Sequence, residues 1–290
     1  MSQNLEQLTR QAQVLSSIRG IVRTMKTLAA INAPPYEQAA VSIEAFHDAV
    51  RAGLQAYAWC APTQQQNRGI NAQSRHILVA FGSDHGFCGN YNELVANQIQ
   101  DYRTQRDADN LSILCIGAKL QNALYEHRIP ILERLTPPAS VDGLGRLASE
   151  IVTRIQALTA QTGFETATVD LIYTHRIEHA GREPITQALL PLNPSLLQAP
   201  QRWPSRSLPK LGLTPPKLLS ALLQNHLFAS IFQAAAQAMV TENAARLAIM
   251  QQAEQSVDER LEAVQREISN QRQDAITQEL MDILIGHTPE

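Results

Sequence analysis

The fold of this chain is decided by the stretch from Lys217 to Ile285, KLLSALLQNHLFASIFQAAAQAMVTENAARLAIMQQAEQSVDERLEAVQREISNQRQDAITQELMDILI. Pro216 precedes this stretch, Gly286 follows it, and neither residue type occurs within it. Since proline and glycine are the residues that most often end a helix, the stretch is predicted to form one continuous helix. At about 1.5 Å per residue, that helix would be on the order of 100 Å long. A compact domain cannot enclose such a helix, so we expect it to project and to be covered by another element.

The second half of the stretch has apolar residues at alternating steps of four and three, which is the seven-residue repeat of helices that pair with other helices. The repeat consists of Met250, Val257, Leu261, Val264, Ile268 and Ala275, with Gln271 at one position of the same stripe. The first half is richer in alanine, which allows close approach of backbones. From periodicity alone, a helix of a bundle and a coiled-coil shaft both remain open.

The N-terminal residues 5–31 are predicted to form a helix with a matching repeat. Its apolar positions are Leu8, Ala12, Leu15, Val22, Met25 and Ala29, and Arg19 interrupts them. Two ends with the same repeat favour an antiparallel two-helix coiled coil formed within one chain. Pro34 and Pro35 are expected to break or kink the N-terminal helix, because proline removes a hydrogen bond and clashes with the preceding turn. A second helix is predicted from Tyr36 to Trp59.

The middle of the chain alternates short apolar runs with helical patterns, after a polar linker at 61–74. Such alternation is typical of an α/β unit with a largely parallel sheet. Strands are predicted at 76–81, 111–116, 129–135, 167–174 and 185–192, and helices at 92–106, 118–127 and 142–162. The predicted fold class is therefore α/β plus coiled coil, in which N- and C-terminal helices flank an inserted Rossmann-like α/β domain. The predicted divisions are 1–60, 75–200 and 217–286.

Composition excludes several classes of protein. The net charge of −3 gives no indication of nucleic-acid binding. No apolar run approaches the roughly 18 residues of a membrane span, and the first residues do not have the pattern of a signal peptide. The three cysteines, Cys60, Cys88 and Cys115, are too few and too widely spaced for a disulfide framework or a CxxC metal pair. A reducing cytosol fits these features best.

A glycine-rich segment from Gly82 to Asn90 follows the first predicted strand and precedes a helix, which is where phosphates often bind. A nucleotide loop assisted by Asp84 or His85 is one interpretation. The segment lacks both GxGxxG and GxxxxGK[ST], so a structural turn is favoured. Cys88 beside His85 is likewise better explained as a buried thiol than as a nucleophile.

Two further sets of side chains have a functional and a simpler interpretation. His175 and His179 have the i, i+4 spacing of a helical metal pair, but they follow a predicted strand and lie in a loop, so no metal is expected. Arg19, Arg23 and Lys26 place cations along the first helix. They are interpreted either as a solvated face or as contacts to an acidic partner surface.

Three motifs in order along the chain resemble the γ subunit of F-type ATP synthases. The first is Ser17–Arg19 with TMKTLAA at 24–30, the second is GSDHGFCG at 82–89, and the third combines ENAARLAIM at 242–250, RQDAITQEL at 272–280 and ILIG at 283–286. The third is the most specific, because it contains polar residues that a coiled coil alone does not require. The resemblance extends over essentially the whole chain.

The resemblance implies a rotor without chemistry of its own and without a cofactor. In that family the paired terminal helices form a shaft inside an α3β3 hexamer, and the α/β insert lies near the ε subunit and the membrane c-ring. It also implies a peripheral membrane protein at the cytoplasmic face of a bacterial plasma membrane. The contact residues that it implies are Met25 toward the β-subunit lever, and Arg246, Arg272, Gln273, Thr277 and Glu279 toward the hexamer.

The chain also departs from the family pattern. The family's ATDNA is Ala253–Val257 here, with only the alanine retained, and its basic continuation after the first helix is replaced by 32–37 with two prolines. These departures favour a divergent γ subunit, with an alternative, sodium-pumping complex as one hypothesis. A nucleotide-binding α/β enzyme and a non-rotating coiled-coil scaffold are the two alternatives of other classes.

Overall fold

The computed structural model describes residues 2–61, 76–106, 111–160, 168–177, 181–197, 203 and 207–286. Two long helices enclose an α/β region in sequence. The elements in chain order are α1 (Ser2–Cys60), β1 (His76–Phe81), α2 (Tyr91–Gln105), β2 (Leu111–Ile116), α3 (Ala118–Glu126), β3 (Glu133–Leu135), α4 (Leu144–Thr159), β4 (Thr168–Ile177), β5 (Gly181–Leu190) and α5 (Pro215–Gly286). Short 3-10 turns lie at 141–143 and 194–197. The predicted fold class is confirmed.

The chain forms two compact units, each built from residues that are distant in sequence. Met1–Ile31 and Arg246–Glu290 form the first, which we call the coiled-coil unit. Asn32–Ala245 forms the second, which we call the α/β unit. The long helix predicted from Lys217 to Ile285 is confirmed as the 72-residue helix α5. Of the polar linker predicted at 61–74, all but Ala61 lies outside the described residues.

The expected break at Pro34 and Pro35 is wrong, because α1 is one helix of 59 residues with both prolines inside it. An internal proline costs a helix about 3 kcal/mol. The residues that follow offset this cost by burial. Tyr36 is only 3 % exposed, and its hydroxyl donates to the carbonyl of Pro138 at 3.4 Å. Tertiary packing of the turn after the prolines therefore overrides the local preference for ending the helix.

The predicted apolar repeat is the seam of the coiled-coil unit. On α1, Leu8, Val22 and Ala29 are buried, and on α5, Met250, Leu261 and Val264 are buried. The remaining repeat positions are half-buried: Ala12, Leu15, Met25, Val257, Ile268, Gln271 and Ala275. Arg19 is half-buried as well, where it interrupts the repeat. The antiparallel pairing of the two ends of the chain is confirmed.

A five-stranded sheet in the order β3-β2-β1-β4-β5 forms the centre of the α/β unit. The first four strands are parallel, and β5 runs antiparallel to β4 as an edge strand. The predicted third strand was too long, since only Glu133–Leu135 pairs. The predicted fifth strand begins earlier than expected, at Gly181, and ends at Leu190.

Both faces of the sheet are covered, which explains why the central strands β1 and β2 read as nearly continuous apolar runs. Ile77, Val79 and Phe81 of β1 face a core shared with α4 and the first half of α5. Leu78 and Ala80 face a second core shared with α2 and α3. The alanines of α5 that contribute to the first core are buried, as close approach of backbones requires: Ala234, Ala235, Ala236 and Ala238.

Candidate functional site

The glycine-rich segment 82–90 is a tightly bonded turn at the carboxyl end of β1. The Asn92 side chain accepts a hydrogen bond from the backbone N–H of Ser83 and donates one to the Ser83 hydroxyl, both at 2.9 Å. A Cβ at Gly82 would lie 2.2 Å from Leu120 Cβ, so only glycine fits there. The segment therefore serves to join β1, α2 and α3.

Asp84 binds the N-terminus of α3, the helix that follows β2. Its Oδ1 accepts a hydrogen bond at 3.0 Å from the backbone N–H of Ala118, the first residue of α3. A helix N-terminus attracts anions through such N–H groups, and here a carboxylate of the chain itself satisfies one of them. Gly117 leads into this helix with a φ of 100°, and the Ser83 carbonyl oxygen would lie 2.5 Å from any Cβ added to it. The structural interpretation of the segment is favoured over a nucleotide loop.

Cys88 has the contacts of a packed thiol. It is 1 % exposed, and its Sγ lies 3.5 Å from the Ser83 hydroxyl and 3.7 Å from Asn92 Nδ2. Its contact with His85 is to the backbone carbonyl, at 3.9 Å. This surrounding holds the turn together and does not form a nucleophile–base pair.

Of the two histidines that have the spacing of a metal pair, only one lies among the described residues. His175 is half-buried on β4, opposite Glu183 of β5, and therefore lies in a strand. His179 lies outside the described residues. Within the described parts of the chain, no cluster of three or more His, Cys, Asp or Glu side chains could hold a metal ion.

The three cations on α1 are paired with carboxylates of α5. Arg19 Nε lies 2.7 Å from Asp258 Oδ1, and Arg23 Nε lies 3.1 Å from Glu254 Oε1. Lys26 binds the other oxygen of Glu254. Lys26 and Arg23 lower the pKa of the Glu254 carboxyl by donating hydrogen bonds to it. Neither interpretation of these cations, a solvated face or contacts to an acidic partner, anticipated ion pairs within the chain.

The contact residues implied by the resemblance all lie in the coiled-coil unit, and they differ in solvent exposure. Met25 and Arg246 are half-buried. The four others are exposed along the last turns of α5, namely Arg272, Gln273, Thr277 and Glu279. The Thr277 hydroxyl donates to the Gln273 carbonyl at 2.9 Å, a local bond within the helix. The role of these six residues as contacts to partner subunits stays a prediction.

A second apolar stripe on α1 was not recognised from the sequence. It consists of Val14, Ile18, Ile21 and Leu28, which are between 40 and 62 % exposed. Together with Met25 these residues follow the same steps of four and three as the seam, and this spacing was the available signal. Ile276, Leu280, Met281 and Ile283 are similarly exposed near the end of α5. Exposed apolar residues in rows of this kind are typical of surfaces that bind other proteins.

A histidine pair in the α/β unit was also missed. His47 Nε2 of α1 lies 3.0 Å from His226 Nδ1 of α5, so one ring donates a hydrogen bond to the other. Burial lowers the pKa of His226 to about 4, with smaller contributions from His47 and Arg51. Burial also lowers the pKa of His47, and Arg51 adds to that effect while Asp48 opposes it. The pair stabilises the contact between the two helices in its neutral form.

The architecture as a whole defines a class of protein: a coiled-coil shaft formed by both ends of one chain, with an α/β insert and an exposed apolar stripe. The profile of the family described as ATP synthase matches residues 4–288. The chain therefore belongs to this family, and its relatives are γ chains.

Individual relatives agree along the length of the chain. The ATP synthase gamma chain of Polynucleobacter necessarius subsp. necessarius (strain STIR1) is 28 % identical over 72 % of this chain and 72 % of its own length. The ATP synthase gamma chain of Synechococcus sp. (strain PCC 6716) is 24 % identical over 98 % of both chains. The assignment to the γ chains thus holds from one end of the sequence to the other.

Solved structures have the same fold. A rotor chain of the Euglena gracilis mitochondrial ATP synthase superimposes with a TM-score of 0.63 at 13 % identity, covering 95 % of this chain and all of that one. A chain from the central stalk/c-ring of the Tetrahymena thermophila mitochondrial ATP synthase gives 0.59 at 17 % identity, covering 80 % of this chain and 99 % of its own. At these identities the likeness is one of fold.

Among the residues that the structure describes, no helix is both long enough and apolar enough to cross a membrane.

Proposed function

We propose that the chain is the central rotor shaft of an F-type ATP synthase and couples transmembrane ion flow to conformational change at catalytic β subunits. One observation carries this proposal. A coiled coil of this chain leaves a second apolar stripe exposed on α1, and apolar side chains exposed near the end of α5. Such a surface needs a protein sleeve, and an α3β3 hexamer provides one.

The shaft acts mechanically and performs no bond chemistry. Asn92 and Asp84 bond the glycine-rich turn 82–90 to α2 and to α3, as a structural turn requires. This supports a non-catalytic subunit, with hydrolysis and synthesis at partner subunits. A shaft also needs asymmetry, because each β site must meet a different surface as the shaft turns. The uneven exposure of α1 and α5 supplies it.

The partners follow from the same role. The α3β3 hexamer surrounds the coiled-coil unit, and the ε subunit and c-ring contact the α/β unit. The chain then lies at the cytoplasmic face of a bacterial plasma membrane as a peripheral protein. The division into 1–60, 75–200 and 217–286 remains a prediction about segments with separate roles. The c-ring selects the transported ion, and a sodium-pumping complex remains a hypothesis.

The contact residues are proposed one by one. Met25 meets the β-subunit lever, while Arg246, Arg272, Gln273, Thr277 and Glu279 form polar contacts with the hexamer. Hydrogen bonds from charged side chains on an otherwise apolar rod can form and break at defined angles of rotation. We expect Arg272→Gln to lower ATP-driven ion pumping more than ATP hydrolysis, with Arg266→Gln as the control. Equal losses in the two variants would refute the contact.

Affinity purification of the tagged chain from its own cells tests the assignment. Recovery of α and β ATPase subunits together with a c-ring is expected. A matched variant carries Ile18→Gln and Ile21→Gln, which makes the exposed stripe polar while leaving the seam intact. It should fold with unchanged helicity and recover less of the α and β subunits. Recovery of the wild-type chain without these subunits, or tight nucleotide binding by the isolated chain, would contradict the proposal.

A further inference from the structure

The ion-pair cluster of the coiled-coil unit consists of Arg19, Arg23, Lys26, Glu254 and Asp258. The cations occupy one side of α1 at steps of four and three residues, and the carboxylates lie four residues apart on α5. These spacings place successive side chains on one face of each helix. The cluster therefore forms a row along the line where the two helices meet.

Glu254 is the central member of this row. Its side chain is 13 % exposed, whereas that of Arg23 is 60 % exposed and that of Lys26 is 32 % exposed. Each carboxylate oxygen has its own cation, with Arg23 at Oε1 and Lys26 at Oε2. A carboxylate bound from two directions by side chains one turn apart has only one favourable position along α1.

The apolar seam does not specify that position by itself. A slip of seven residues moves every seam residue onto the next position of the same repeat, and much of the seam is small, as at Ala12 and Ala29. The charged residues do not share this tolerance. After such a slip Arg23 would face Leu247 or Leu261 in place of Glu254. Arg19 and Glu254 occupy positions of the repeat itself, and a polar residue at a seam position specifies the register of a coiled coil.

We propose that Glu254 and Asp258 are positioning residues that fix α5 against sliding and turning along α1. This inference rests on the proposed function. With their alignment fixed, the two helices twist as one rod, so that torque applied to one is shared by the other. Exposed ion pairs add little stability individually. The role of the cluster is accordingly to select one alignment, and its removal should change alignment more than thermal stability.

The alignment can be measured on the full chain alone. Nitroxide labels at Ser16→Cys and Arg260→Cys, both exposed positions, report the distance between the helices in a Cys60→Ser background. The wild-type chain should give one narrow distance at low salt. The double variant Glu254→Gln with Asp258→Asn should lose that single distance and give a broad or displaced distribution. High salt should broaden the wild-type distribution in the same direction, since it screens exposed ion pairs.

Two controls separate alignment from general destabilisation. Glu259→Gln removes a neighbouring charge that interacts only with Gln255 along α5 in the described contacts, and it should keep the narrow distance. The exchange Arg19→Asp with Asp258→Arg restores an ion pair of opposite direction and should also keep it. A double variant as narrow as the Glu259→Gln control, or an exchange that fails to restore the distance, would overturn the proposal.

The consequence for coupling is tested in the assembled complex. The double variant should pump fewer ions per ATP hydrolysed, while Glu259→Gln should not. Unchanged coupling in the double variant would overturn the role in torque. A chain that shows the expected distances but does not assemble with α and β subunits would contradict the proposed function and leave the alignment result intact.

Discussion

The two units differ in how they bury their apolar residues. The α/β unit has two cores in which strand residues such as Leu78, Val79 and Leu114 are fully buried. The coiled-coil unit has a seam in which more than half of the repeat positions are only half-buried, beside an apolar stripe left exposed. The α/β unit thus contains what it needs for stability. The coiled-coil unit exposes apolar side chains that a partner protein is expected to cover.

The largest contrast is expected between equivalent truncations in the two units. Leu114→Ala, at a fully buried position of β2, should destabilise the isolated chain by about 3 kcal/mol. Leu28→Ala, at a position 54 % exposed on α1, should change stability by less than about 0.5 kcal/mol. Denaturant unfolding of both variants measures the difference. Similar losses would mean that Leu28 is already covered in the isolated chain.

A glycine of the α/β unit gives the next largest effect. Gly82→Ala places a Cβ 2.2 Å from Leu120 Cβ and 2.9 Å from Asn92 Oδ1. Relieving this overlap displaces α3 or the bonded turn, and we expect a loss of about 3 kcal/mol, at the upper end for overpacking. The melting temperature of the variant tests this, with Gly145→Ala as a control at a glycine where nothing lies within 4 Å. A variant as stable as the control would disprove the close approach.

Acid should weaken the α/β unit through His226. Its pKa of about 4 in the folded chain lies below the ordinary value of 6.5, so the unfolded chain binds the proton first. Its contribution to stability is therefore complete above pH 6.5 and is lost as the pH falls toward 4. At pH 5 the loss of stability relative to neutral pH reaches about 2 kcal/mol. Denaturant titrations at several pH values measure the slope.

A matched pair of variants assigns that slope. His226→Gln should unfold with a smaller dependence on pH between 7 and 5, whatever its stability at neutral pH. His127→Gln, at the residue directly after α3 whose Nε2 lies 3.3 Å from Glu93 Oε2, should retain the wild-type dependence. The same slope in all three chains would assign the acid sensitivity to other groups.

The smallest effect has the opposite sign and belongs to the coiled-coil unit. Gly20 is exposed within α1, and a Cβ there would meet no heavy atom within 4 Å. Gly20→Ala should therefore stabilise the isolated chain by about 1 kcal/mol through helix propensity. Thermal unfolding followed by circular dichroism measures it. Destabilisation would indicate that Gly20 makes a close contact in the free chain.

Much of this architecture could be predicted because it depends on periodicity. The steps of four and three residues identified the seam, and short, mainly apolar runs identified the three central strands. Motifs then carried the assignment to the family. The run at Ile129–Leu135 was less informative, since only its last three residues pair with β2.

What could not be predicted depends on contacts distant in sequence. The prolines at 34 and 35 are ordinary helix breakers, and only the burial of Tyr36 shows why α1 continues. Glu254 falls where the chain departs from the family's ATDNA, and its partners on α1 are more than two hundred residues away. The His47–His226 pair joins two helices in the same way. No local pattern records such pairings.

Rotation is the most direct test of the central claim. The α and β subunits assembled with this chain are fixed to a surface, and a bead is attached through Tyr125→Cys, a position 83 % exposed on α3. With ATP, the bead should turn in one direction relative to the fixed hexamer and stop when ATP is removed. A complex that hydrolyses ATP while the bead stays still would contradict the assignment of the chain as the rotor shaft.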